Sequence, residues 1–461
     1  MRKTIAPYVA RALLSPKRLA NKRIKAEKKR LRLGEPHRVT VYLRINDAYS
    51  YVLLQLLKRL EQRYSIEYDF RTILNLQHDM YPAPTLWAKN AFEDCCYLAD
   101  LYSDAIDFPS QVPDSTPQRD AKITSQLLHW ELQPGYLDNA IALFNEYWQG
   151  DHASLDSLLN PAVTQNHECF EHHLLANEAR LKEAGHYLSA MLHYGGEWYW
   201  GINRLQYLER RLNDLGIVRK DQPEVVFDRS HQSFCKMMSS EQIRAVEARK
   251  QAGNCIEVFF SARSPYSYIG LIRVKQLSEH YGIPLVIKPI LPMVMRRMQV
   301  PERKGTYIAQ DVAREALLYN IPFGFIADPL GKGVDNVYSL FEYAKSQNRE
   351  VDLFASFARG VWSEGLRADT DRGLSTMVAR AGLDWSQAQA HLSDTSWRNW
   401  AQDNLAELYS HGQWGVPCFK FQETIVFGQD RLDRLEQAIV SSVQSQNKSQ
   451  IQVNKTITSK P

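Results

Sequence analysis

The chain has 461 residues, 44% of them hydrophobic and 23% charged, with a net charge of +4. These are the values of a soluble globular protein, and the length allows two or three domains. No stretch approaches the roughly 18 apolar residues that a transmembrane helix needs. The six cysteines, at 95, 96, 169, 235, 255 and 418, form no C-x-x-C pair in a chain too large to be a disulfide scaffold, so a reducing, cytoplasmic setting is expected.

The charge is unevenly placed. Residues 1–38 hold 13 Lys/Arg against Glu27 and Glu35, a net +11 in a chain of +4, which leaves −7 on the rest. This segment has no apolar core of the kind a secretory signal needs. Its composition reads as a solvated basic arm. Contact with an anionic membrane surface or with nucleic acid is the alternative; the arm lacks the aromatic interleaving that single-strand binding needs, and no specific nucleic-acid partner is expected.

Residues 39–214 come next. Val39-Thr40-Val41-Tyr42-Leu43 is strand-like, and Asp47-Ala48-Tyr49-Ser50-Tyr51 opens an amphipathic run through Leu53, Leu54, Leu57 and Leu60. At an offset of 217 residues similar text appears as Ser264-Pro265-Tyr266-Ser267-Tyr268, and the match holds without a gap to Leu74 and Leu291. Residues 75 to about 184 read as mostly helical. His167, Cys169, Glu171, His172 and His173 match no zinc spacing, so a polar helix face is expected there and no metal. The segment ends with Gly185 to Ala190 and Trp198 to Leu205, which at an offset of 227 face Gly412 to Pro417 and Ile425 to Leu432. Two domain-sized copies are therefore expected, 39–214 and 255–443. A linker at 215–254, helical from Glu241 to Gln251, would join them, and a polar tail at 444–461 would be disordered.

The second copy opens on Val258-Phe259-Phe260, a short turn, and a run beginning Ser264-Pro265. That order reads as strand, turn and helix, with Ser264 at the N-cap and Pro265 at the first helical position. The helix would present free N–H groups and its positive dipole end beside a serine hydroxyl, a setting that favours an anion.

Three motifs in order carry a resemblance: Ser264-Pro265-Tyr266-Ser267-Tyr268, Trp414-Gly415-Val416-Pro417, and Phe427-Gly428-Gln429-Asp430-Arg431-Leu432. Together with Lys304 and Tyr307 they resemble the 2-hydroxychromene-2-carboxylate isomerase family, part of the DsbA-like group that includes the kappa-class glutathione transferases. The resemblance spans roughly 190 residues of the second copy. It implies an α/β fold with two thioredoxin-like (DsbA-like) domains, each with a helical insertion, the first degenerate.

The resemblance also implies glutathione as cofactor, with a small aromatic oxo acid or another electrophile as substrate. Isomerisation would proceed by reversible addition of the glutathione sulfur to a conjugated double bond. Ser264 would stabilise the thiolate, Val416 and the cis Pro417 would meet the cysteinyl part, and Gly428, Gln429 and Asp430 the γ-glutamyl end. Cys418 departs from the small or polar residue expected after Pro417; it is either a buried structural thiol or a partner for a mixed disulfide. The first copy has Asp47, Ala48, Ala190 and Ile202-Asn203 in place of Ser264, Pro265, Pro417 and Gln429-Asp430. Thiol–disulfide exchange and non-catalytic binding are the competing functions. A pseudo-dimeric domain pair within a monomer and a homo-oligomer are both compatible with the sequence.

Overall fold

The computed structural model describes residues 2–77, 83–131, 133–219, 226–229, 235, 254–298 and 300–442. The helix expected over Glu241–Gln251, most of the linker and the tail 444–461 lie outside the described residues. The chain divides into two compact units. The first comprises residues 19–229 and 300–307; the second comprises residues 1–18, 230–299 and 308–461.

In the first unit, β1 (Arg38–Leu43) alternates as the sequence predicts. Val39, Val41 and Leu43 enter one core cluster, while Tyr42 enters another. Helix α1 (Arg2–Leu13) groups with the second unit, whereas residues 19–33 of α2 (Pro16–Leu33) belong here. Helix α3 (Ala48–Arg63) carries the chain from β1 to the parallel β2 (Glu67–Thr72). A block of helices between Pro84 and Glu183 follows. The chain returns as β3 (Met191–Tyr194), antiparallel to β1, and β4 (Glu197–Trp200), before α4 (Leu205–Asp214). The sheet order is β2-β1-β3-β4.

Two features differ from the sequence reading. The basic segment folds as two helices, 2–13 and 16–33, and α2 is anchored rather than fully solvated: Arg23 donates to both oxygens of Glu197, at 2.8 and 2.9 Å, and Lys22 Nζ donates to the Gly196 carbonyl. The first unit also runs past residue 214. Phe227 is fully buried, and its backbone N–H and that of Val226 donate to the Glu209 carboxylate at 2.9 and 3.1 Å.

In the second unit, β5 (Ile256–Phe260) leads through α5 (Pro265–Tyr281) to the parallel β6 (Leu285–Pro289). The helical block runs from α6 (Glu302–Leu318) to α7 (Trp397–Ser410). Antiparallel β7 (Cys418–Phe421) and β8 (Thr424–Phe427), a 3-10 turn at Gln429–Arg431 and a helix over 432–442 complete the unit. The order β6-β5-β7-β8 has the same sequence of one parallel and two antiparallel pairings as the first sheet.

Local hydrogen bonds recur at the offsets seen in the sequence. Ser50 N–H donates to Asp47 Oδ2 at 3.1 Å, and Ser267 N–H to Ser264 Oγ at 3.1 Å. Arg44 N–H donates to Ser50 Oγ at 3.2 Å, and Ser261 N–H to Ser267 Oγ at 3.4 Å. At the far end, Gly201 N–H reaches the Ala190 carbonyl and Gly428 N–H the Pro417 carbonyl, both at 2.8 Å.

One close approach positions the candidate site. A Cβ added at Gly270 on α5 would lie 2.7 Å from Phe419 Cζ, 3.2 Å from Pro417 Cγ and 3.5 Å from Gln429 Cβ. Gly270→Ala is therefore expected to overpack this junction and cost about 1–3 kcal/mol. Gly305→Ala on α6, where nothing lies within 4 Å of the added carbon, should instead gain up to about 1 kcal/mol from helix propensity. Urea unfolding of the two variants checks both signs.

Candidate active site

Ser264 has extended backbone geometry and caps α5, with Pro265 in the first helical turn. The sequence dictates this locally, because serine supplies the oxygen that satisfies an orphan N–H and proline needs no acceptor. The cap also fixes what the hydroxyl can do. One lone pair of Oγ accepts from Ser267 N–H, so the hydroxyl proton is left to point away from the helix. Ser264 is half-buried, and the 17-residue helix behind it directs its positive end towards the same oxygen. Serine also occupies position 267, in the first turn of the helix. Ser267 is fully buried, and its hydroxyl accepts from Ser261 N–H.

Gly270 brings Pro417 and Gln429 against this helix. The Val416–Pro417 peptide is cis, as the resemblance implies; Val416 is half-buried and Pro417 buried. Trp414 and Phe427 stack beside them with centroids 5.9 Å apart, and a side chain on Gly415 would strike Phe427.

Gln429 differs from the expected ligand-facing residue. It is 1% exposed. Its carbonyl accepts from Arg273 Nη1 at 2.6 Å, its side-chain oxygen accepts from the same nitrogen, and its Nε2 donates to Glu315 Oε2 at 2.8 Å and to Asp430 Oδ1. The Gln429 side chain is thus committed to the interior, and Gly428 and Asp430, both half-buried, are the more accessible residues of this motif. Sequence reasoning missed Arg273 and Glu315, which hold the turn to α5 and α6. A signal was present: Arg273 interrupts the apolar stripe of Ile269, Val274 and Leu277, and a charge at a buried helix position demands a partner. Lys304 and Tyr307 group with the first unit, where Tyr307 packs edge-on against His186 at 4.4 Å.

Cys418 is fully buried, its thiol donates to the Gly415 carbonyl at 3.1 Å, and burial pushes its pKa well above the usual thiol range. These are the properties of a structural thiol. All six cysteines are free.

At the matching position of the first unit, Asp47 caps α3. It is buried, accepting from both the backbone and the hydroxyl of Ser50, with Arg44 Nη2 4.0 Å away. Ala190 stands opposite Pro417 with φ of 54°.

Comparisons with known proteins find relatives of the second unit. Residues 255–440 match the profile of the DSBA-like thioredoxin domain. They form a DsbA-like thioredoxin domain. The chain is 23% identical over 192 residues to the 2-hydroxychromene-2-carboxylate isomerase of Pseudomonas putida, covering 40% of this chain and 93% of that protein. It is 22% identical over 206 residues to glutathione S-transferase kappa 1 of Rattus norvegicus, covering 40% of this chain and 90% of the relative. A solved structure of 2-hydroxychromene-2-carboxylate isomerase is also similar, with 23% identity, a TM-score of 0.37, and coverage of 42% of this chain and 98% of the other.

The burial difference between thiols makes a direct test. On brief exposure of the native protein to a maleimide, the exposed Cys169 is expected to be labelled while Cys418 stays protected until denaturant is added. Peptide mass mapping reads the outcome, and native labelling of Cys418 would contradict the structural assignment.

Proposed function

We propose that the DsbA-like domain binds glutathione and works as a glutathione-dependent isomerase or transferase on a small aromatic oxo acid or another electrophilic substrate. The observation that carries this reading is the cap of α5, a half-buried serine whose hydroxyl accepts from its own helix and keeps a proton for an incoming anion. A thiolate suits that position because the hydroxyl proton and the helix dipole both favour the charged sulfur. Bound glutathione would supply a nucleophilic sulfur able to add reversibly to a conjugated double bond. In this reading Val416 and Pro417 contact the cysteinyl part, while Gly428 and Asp430 hold the γ-glutamyl end at the start of the last helix. Gln429 serves by fixing that turn through Arg273 and Glu315.

Disulfide exchange is less well supported, since Ser264 and Ser267 stand where it needs thiols and Cys418 is sealed in the core. The six free thiols suit a reducing, cytoplasmic compartment.

We further propose that the first unit is a second thioredoxin-like copy that has lost the site. Support comes from the shared sheet order and the hydrogen bonds that recur at constant offsets. A carboxylate at the Asp47 position would repel a thiolate, and Ile202 stands where Gln429 is found in the second unit.

Two measurements test these readings. Ser264→Ala should remove about 1.5–3 kcal/mol of thiolate stabilisation and so raise the pKa of the bound thiol by roughly one to two. The ultraviolet absorbance of the bound thiolate, followed against pH, reports this, and an unchanged titration would overturn the role of Ser264. Calorimetric titration should give one glutathione site per chain, weakened in Ser264→Ala/Asp430→Asn and unaffected by Asp47→Asn. Two sites per chain would overturn the assignment of the first unit.

A further inference from the structure

A cleft unrelated to the Ser264 site lies within the first unit, between α2 and the β3–β4 hairpin. Its volume is about 500 Å³, and six cations line it: Lys22, Lys25, Lys29, Arg30, Arg38 and Arg211. The carboxylates in its wall are Glu27 and Glu35. The spacing of Lys22, Lys25 and Lys29 places all three on one face of α2.

Three of these six cations meet carboxylates. Arg30 is held by Glu27, with contacts of 2.6 to 3.1 Å, and Arg211 by Glu197 at 3.0 Å. Arg38 meets Glu67 at 3.6 Å with both side chains more than half exposed, which is worth little in water. Lys22 is bound to a carbonyl. Lys25 and Lys29 have no carboxylate partner among the described residues.

The hairpin is shaped to admit these cations. Gly195 and Gly196 form its turn with φ of 52° and 80°. A Cβ at Gly195 would lie 2.3 Å from Arg211 Nη2, and one at Gly196 would lie 3.0 Å from Lys22 Cε. The turn therefore carries no side chain where a buried arginine and a lysine from another element converge. Two imidazoles beside the cleft are held neutral chiefly by burial, and the neighbouring cations add to that effect. Burial, then Lys22 and Arg211, bring His193 down to about 4, and burial, then Arg30, lowers His37.

We propose that this cleft binds a ligand with clustered phosphate charge. Convergent lysine and arginine donors match the several oxygens and multiple charges of such a group, and the volume admits a small molecule rather than a bare ion. A soluble phosphorylated compound and a phosphoinositide headgroup share that chemistry.

The test uses the full-length protein with inorganic pyrophosphate as probe. Calorimetry at low ionic strength should show binding that Lys25→Gln/Lys29→Gln weakens by about tenfold or more, given the strength of hydrogen bonds to charged groups. Lys17→Gln/Arg18→Gln removes the same charge outside the cleft lining and should leave the affinity nearly unchanged. Thermal unfolding of both variants verifies that they fold, and the glutathione isotherm should be the same in all three proteins, which separates this site from the Ser264 reading.

Histidine NMR supplies an independent readout. A bound anion offsets the field of Lys22 and Arg211, so the His193 titration midpoint should rise from about 4. Absence of both heat and a histidine shift would overturn the proposal, as would equal losses in the two double variants. Sedimentation with phosphatidylcholine vesicles, with and without phosphatidylinositol bisphosphate, identifies the source. Phosphoinositide-dependent pelleting that pyrophosphate reverses assigns a lipid headgroup; pyrophosphate binding without pelleting assigns a soluble ligand.

Discussion

The candidate site of the second unit depends on how closely α5 can lie against β7. Gly270 sets that distance, since any side chain there would meet Phe419, Pro417 and Gln429 together. The three motifs are far apart in the chain, yet this one contact plane gathers them. Ser264 caps the same helix fewer than two turns earlier, so its hydroxyl keeps a fixed relation to the Val416–Pro417 turn and to Gly428. Packing of this density transmits small displacements instead of absorbing them.

A buried polar chain reinforces the junction. Arg273 and Glu315 are 2% and 0% exposed, with the Gln429 amide between them. Arg273 also lies over the Tyr319 ring, 3.7 Å from its centroid. Burying two charges is costly unless each is fully engaged. An amide can accept from the guanidinium and donate to the carboxylate at once, so the cost is offset while α5, α6 and the 429 turn are tied together. The first unit handles buried charge differently, with Arg23 and Arg211 both on Glu197.

Much of this was legible because its causes are local. A serine followed by proline specifies a helix start wherever it occurs, and alternating apolar residues specify β1 before any partner is known. The constant offsets were visible because they need only a comparison of the chain with itself, and they reappear as equivalent hydrogen bonds. What stayed hidden is non-local. Nothing near Gln429 announces that its amide meets residues 114 and 156 positions away. Likewise, the basic segment reads as solvated until Glu197, 174 residues from Arg23, is seen to receive it.

The positions opposite Gly270, Pro417, Phe419 and Gln429 at the two offsets are Leu53, Ala190, Leu192 and Ile202, and all four are buried in one apolar cluster. Volume removed at the proline and phenylalanine positions is matched by volume added at the helix. Each set is self-consistent, and mixed sets are not: leucine on the helix collides with proline in the turn, while glycine beside alanine leaves a void. The two solutions are therefore separated by an epistatic barrier. Under the proposal that the first unit is a copy that lost the site, a single substitution there costs stability, and regaining the residues of the second unit requires several changes made in concert.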